Sequence, residues 1–194
     1  MATTPGKKRR RGGGNAVKIV VTGPFAAGKT TLIRTISEIT VLSTEKDITD
    51  ETRSRKSETT VAMDFGRITI DRDLVLYLFG TPGQDRFDFM WEILGEGMLG
   101  YVVLVDATRE ESLQETVPIL EAFRRMARVP FVVGLNRAGG IDEGEEERVR
   151  SVLDLPPDVP VVPCDAVDRE SVKSVLLALL YAVVDSLDAA ATTA

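Results

Sequence analysis

Histidine is absent from the 194-residue chain, and cysteine and tryptophan occur once each, as Cys164 and Trp91. Without imidazole, Ser-His-Asp hydrolysis and histidine-ligated metal centres are excluded. A lone thiol excludes internal disulfides and cysteine metal clusters, and it fits a reducing compartment, so the expected location is the cytoplasm. The N-terminal basic run is followed by GGGN and not by an apolar segment, so a secretory leader is not expected. Long apolar runs are also missing. The longest, VLLALLYAVV at 175–184, is too short to span a bilayer and reads as a buried or partner-facing helix. Basic residues are scarce outside one cluster, Lys7, Lys8, Arg9, Arg10 and Arg11, leaving 19 against 30 acidic residues in the rest of the chain. Such an acidic body is unsuited to general nucleic-acid binding.

What is present is 43% hydrophobic residues in a length suited to one folded domain. Residues 1–15 have the composition of a flexible basic tail; Lys7 to Arg11 provide at most a weak contact with an anionic membrane, at the inner face. Residues 16–188 form the expected domain, and 189–194, rich in Ala and Thr, an expected disordered end. Between them, six apolar runs at 17–23, 61–70, 74–80, 101–107, 131–136 and 159–164 read as strands, the last four nearly continuous, as strands covered on both faces are. The link Asp71-Arg72-Asp73 is short enough for a hairpin, which makes 61–70 an antiparallel edge strand. Helical patterns fall at 29–39, 86–94, 112–127, 145–153 and 169–187, with Ser112 as an expected N-cap and Pro118 expected to bend or interrupt its helix. Alternating strands and helices imply a mainly parallel sheet between helical layers. The long polar segment 40–60 breaks the alternation and is expected to be functional.

The most specific motif is GPFAAGKTT at 23–31, with Gly23, Gly28, Lys29 and Thr30 in the spacing G-x-x-x-x-G-K-[ST] between a strand and a helix. Glycines let the backbone, including Ala26, Ala27 and Thr31, wrap around phosphates, whose charge the loop amides and the helix N-terminus attract. Lys29 then reaches the terminal phosphates and Thr30 ligates Mg²⁺. Thr60, or its neighbour Thr59, ends the polar loop and offers a second metal-binding hydroxyl, which would couple loop order to nucleotide state. In the turn Thr81-Pro82-Gly83-Gln84, Gly83 offers an amide to a γ-phosphate and Gln84 a group that orients water.

The order GPFAAGKTT, TTVAMDFG, GTPGQD, LNRA and PCDA resembles the nucleotide motifs of the Ras-like small GTPases over residues 17–187. TVAMDFGR with the T-P-G-Q turn is most similar to the bacterial MglA-type branch, including actinobacterial proteins encoded beside sensor-like and roadblock-type proteins. The resemblance implies an α/β P-loop NTPase fold, Ras-like and doubly wound, with a six-stranded mainly parallel sheet and one antiparallel edge strand. It implies GTP/GDP and Mg²⁺ as cofactors and a switch acting on protein partners, such as a roadblock-type regulator, through 40–60 and 81–96. It assigns Gln84 to water positioning, Thr60 to the first switch, and Asn136, Arg137, Cys164, Asp165 and Ala166 to the base.

Two positions depart from that pattern. Gly80 replaces the aspartate that holds a Mg²⁺-bound water, with Asp64 and Asp106 as substitute acids, each with an alternative structural purpose. Gly139 replaces the carboxylate that reads guanine, with Asp142 as a substitute only if the glycine loop folds back, and the backbone amide of Ala166 as the remaining discriminator against adenine. Arg137 replaces a lysine and is placed to stack on the base. Arg53 and Arg55 are candidate arginine fingers in a loop that also reads as a solvated charged segment. Three alternatives stay open: a nucleotide-loaded scaffold with little hydrolysis, ATP in place of GTP, and a P-loop kinase, which lacks an evident arginine-rich lid.

Overall fold

The computed structural model describes residues 15–43, 63–83 and 89–193. In chain order the elements are β1 (Asn15–Thr22), α1 (Lys29–Ile36), β2 (Leu42–Ser43), β3 (Asp64–Asp71), β4 (Leu74–Gly80) and α2 (Phe89–Gly95). They continue with β5 (Gly100–Asp106), α3 (Glu110–Met126), β6 (Phe131–Asn136), α4 (Glu143–Val152), β7 (Val161–Cys164) and α5 (Arg169–Thr193). The strands form one sheet in the order β2-β3-β4-β1-β5-β6-β7. β1 lies parallel to both β4 and β5, and β6 lies parallel to β5 and β7. β3 runs antiparallel to β4, as the short link predicts, with a register shift between Thr69 and Asp71 beside the turn. All six expected strands are present. A two-residue strand, β2, adds to the edge, with Leu42 opposite Phe65 and Ser43 opposite Asp64.

Side-chain alternation along the central strands builds two cores, one on each face of the sheet. Ile19, Val21, Val102, Leu104 and Val132 point to the face covered by α1 and α5, where Leu32, Ile33, Ile36, Val175 and Leu179 meet them. Val20, Val103, Val105, Val133 and Leu135 point to the other face, packed by Trp91, Leu120, Phe123 and Val149 from α2, α3 and α4. The nearly continuous apolar runs of β5 and β6, broken only by Asp106 and Asn136 at their ends, thus reflect burial on both faces.

Several local expectations are corrected. Pro118 lies inside α3 without ending it. Leu113 and Thr116 before the proline and Ile119, Leu120 and Phe123 after it are all buried, and that packing holds the helix across a missing hydrogen bond. Ser112 is not the N-cap, a place taken by Arg109; it is fully buried, and its Oγ accepts from the Asp106 amide at 2.9 Å. α5 continues to Thr193 rather than ending near 187, consistent with the strong helix propensity of the alanines at 189–191. This helix is long and apolar enough to cross a membrane by composition. Its inner residues Val172, Val175, Leu176, Leu179 and Val183 nevertheless belong to the sheet-facing core, leaving Leu177, Tyr181, Val184 and Leu187 exposed on the outer side.

Candidate functional site

The phosphate loop begins where β1 ends, at the switch point between β4 and β5. Its glycines are dictated by space. A Cβ at Gly23, φ 139°, would stand 2.2 Å from the Leu104 carbonyl oxygen, and one at Gly28, φ 103°, would stand 2.4 Å from Asn136 Nδ2. Ala26 holds the left-handed conformation at φ 61°. Lys29, only 7% exposed, turns back along the loop and donates to the carbonyls of Gly23 at 2.7 Å and Pro24 at 2.6 Å. These contacts keep the ammonium inside the loop, at the mouth of a cavity of about 350 Å³ lined by Lys29, Thr30, Thr31, Asp64, Gly83 and Arg137. Ala27 is fully buried, and Arg109 at the start of α3 braces the loop by donating to the Phe25 carbonyl at 3.0 Å.

Across the cavity, the position of Gly80 is explained by its neighbour. In the β3–β4 ladder Gly80 stands opposite Asp64. A Cβ on Gly80 would lie 2.9 Å from Ile33 Cδ1, 3.1 Å from Asp64 Cβ and 3.3 Å from Asp64 Oδ2. The carboxylate therefore occupies the space that a side chain at 80 would take. Its Oδ2 accepts the Thr30 hydroxyl, and Oδ1 is buried with no hydrogen-bond partner among the described residues. An orphaned buried carboxylate oxygen beside a threonine hydroxyl is a hard-oxygen donor pair, the chemistry that suits Mg²⁺ held jointly by protein, phosphate and water. Among the described residues no three His, Cys, Asp or Glu side chains are grouped so as to hold a metal ion. Asp106, the other substitute acid, is engaged elsewhere: Oδ1 accepts from the Thr108 amide at 3.0 Å and hydroxyl at 2.7 Å, and Oδ2 pairs with Arg137. Burial alone would push its pKa up, but the bonds from Thr108 and Arg137 outweigh burial and hold it below the ordinary aspartate value.

The turn after β4 leans directly on the phosphate loop. A Cβ on Gly83 would meet Lys29 Nζ at 2.7 Å and the Phe25 backbone at 2.8 Å, so the close approach requires glycine. Thr81 is buried, donating its hydroxyl to that of Thr22 at 3.0 Å and its amide to the Val21 carbonyl at 2.9 Å. Trp91 in α2 donates its indole N–H to the Pro82 carbonyl at 3.4 Å and is buried against Phe123.

At the other end of the loop, Asn136 is 2% exposed and links two motifs. Its Nδ2 donates to the Ala27 carbonyl at 2.9 Å, and its Oδ1 accepts from the Ala166 amide at 3.0 Å. Arg137, φ 64°, donates its amide to the Cys164 carbonyl at 2.9 Å. The Cys164 side chain packs in the core, and burial, with Asp165 nearby, pushes its pKa up to about 12. Asp165 accepts from the Val167 amide at 3.1 Å, shaping the turn before α5. Gly139 sits at φ 67° with open space where a Cβ would be. Asp142 does not fold back: it is the N-cap of α4, accepting from the Glu145 amide at 2.8 Å.

The structure thus brings together Gly23, Ala26, Ala27, Gly28, Lys29, Thr30, Thr31 and Gly83, and joins them through Asn136 to Arg137 and Ala166. Gln84, Arg53, Arg55, Thr59 and Thr60, with the tail cluster Lys7 to Arg11, lie outside the described residues. Sequence reading gave Asp64 only a secondary place. The signal was an acid on the inward phase of an apolar edge strand, where a charge needs a partner.

A mainly parallel sheet carrying a glycine-dictated phosphate loop at its switch point, with Lys-Thr opening the next helix, defines a P-loop nucleotide-binding domain. The family model described as conserved hypothetical ATP binding protein matches residues 21–186, and the chain belongs to that family. An uncharacterized protein of Methanocaldococcus jannaschii is 33% identical over 135 residues, covering 66% of this chain and 76% of that protein. The Ras-related protein Rab-11C of Dictyostelium discoideum is 26% identical over 119 residues, 60% of this chain and 48% of that protein. Together they indicate a P-loop, GTPase-like relationship and nucleotide binding.

Proposed function

We propose that this protein is a Mg²⁺-dependent molecular switch of the small-GTPase kind, of the MglA-type branch, hydrolysing GTP slowly until a partner such as a roadblock-type regulator completes the site. The observation that carries this reading is Gly83 seated against Lys29 and Phe25. A γ-phosphate in the loop meets the 81–83 turn, so its presence or loss is felt by α2 through Pro82 and Trp91. Lys29 leaves the Gly23 and Pro24 carbonyls for the β- and γ-oxygens. Thr30 and Asp64 would hold the metal, with Asp64 supplying from β3 the carboxylate that Gly80 lacks. Mg²⁺ held there would supply positive charge to offset the charge that develops on the phosphates. Gln84 positions the water, and Thr60, Arg53 and Arg55 join from the 40–60 segment. Asp64 in that place answers the departure at Gly80, one of the two positions, with Gly139, that favour the scaffold alternative.

The test is phosphate release from GTP with Mg²⁺. Slow turnover abolished in Lys29→Ala and reduced in Gln84→Leu and Asp64→Asn is expected. Tight binding without turnover, even with a roadblock-type partner present, would establish the scaffold instead.

A further inference from the structure

The base end of this site contains polar groups, but they are spoken for. The Ala166 amide, which the resemblance assigns to a guanine carbonyl, is given to Asn136 Oδ1 at 3.0 Å. The other half of the Asn136 amide is given to Ala27. Asp142 is committed to the α4 N-terminus, and Gly139 brings no acceptor for the guanine N1–H and exocyclic amine. The remaining group is Arg137. Its guanidinium is anchored by the buried Asp106 carboxylate, half-exposed, and lines the same cavity as Lys29 and Thr30. A planar cation stacks on any purine face and reads neither edge. Discrimination of many orders of magnitude arises where a site's buried polar groups pair with one ligand and are stranded by another. In this arrangement neither purine strands anything.

We infer that the base subsite is purine-tolerant: Arg137 holds the ring by stacking, the phosphate loop supplies the affinity, and ATP and GTP are accepted alike. This rests on the cavity being the nucleoside triphosphate site proposed above.

Calorimetric titration of the full chain with Mg²⁺ and slowly hydrolysed GTP and ATP analogues, and with inorganic tripolyphosphate, tests it. The expected dissociation constants for the two purine analogues lie within about tenfold of each other. Arg137→Ala weakens both purine analogues by a similar factor, about tenfold more than it weakens tripolyphosphate, and the tripolyphosphate binding that remains shows that the variant is folded. Gly139→Asp, with room for its side chain and a conformation that aspartate tolerates, shifts the ratio toward GTP. A wild-type preference for GTP of more than about a hundredfold would overturn the inference while leaving the triphosphate site intact. An Arg137→Ala effect confined to one purine would also overturn it. Failure of all three ligands to bind the wild type would overturn both this inference and the reading of the cavity.

Discussion

At the scale of single residues, chemistry and steric room decide what each position does. Glycine at 80 and aspartate at 64 are two halves of one arrangement, because the carboxylate of one fills the side-chain space of the other. Replacing Gly80 with aspartate should therefore not improve the site. It would press a second carboxylate against Asp64 and overfill the contact with Ile33, destabilising the fold by about 1–3 kcal/mol in chemical denaturation. Asp64→Asn keeps the volume and should weaken Mg²⁺-dependent nucleotide binding by about 10–100-fold, read by titrating Mg²⁺ at fixed nucleotide. Asp106 gives a pH prediction. A carboxylate whose folded pKa is lowered adds stability above its unfolded value of about 3.9 and loses it as the pH falls through the lower folded value. Denaturation midpoints should fall between about pH 5 and pH 3 by less in Asp106→Asn than in the wild type. Cys164, buried with its pKa up at about 12, should react with a disulfide reagent only after unfolding. The phosphate loop was legible at this scale because each glycine answers a backbone requirement written into a local motif. Asp64 was not, because cross-strand register joins positions 64 and 80 without any local mark in the sequence.

At the scale of elements, periodicity located the strands well and the helix ends poorly. β4 and β6 were bounded as found, at the ends of their apolar runs. Ser112 misled as a cap and Pro118 does not interrupt its helix: local capping and breaking preferences yield to the buried contacts of α3 against the sheet. The edge strand β2 depends on pairing with β3, which no local pattern encodes. The Trp91 indole, bonded to Pro82 one residue before Gly83, makes α2 a reporter of the turn. As the only tryptophan, it should change its fluorescence on binding a nucleoside triphosphate analogue with Mg²⁺ and change less with the diphosphate. An identical response to both would show that the turn does not sense the γ-phosphate.

At the scale of the whole molecule, the sheet order assembles motifs far apart in the chain along one edge. β1, β4, β6 and β7 each deliver a segment there: the phosphate loop, the Gly83 turn, Asn136-Arg137, and Cys164 to Ala166. Because β1 lies between β4 and β5, a ligand at its end contacts both halves of the sheet, which is the general location of sites in open α/β folds. The exposed apolar side of α5 lies on the helix that covers this sheet from one face, and its inner side belongs to the core. The central claim is that the loop, Thr30 and Asp64 together hold a metal-bound triphosphate. The most direct measurement is the affinity for a slowly hydrolysed GTP analogue with and without Mg²⁺, in the wild type, Lys29→Ala and Asp64→Asn. The expected result is tight Mg²⁺-dependent binding by the wild type, collapse in Lys29→Ala, and loss of most of the Mg²⁺ dependence in Asp64→Asn. Binding that ignores Mg²⁺ and is unchanged in both variants would contradict it.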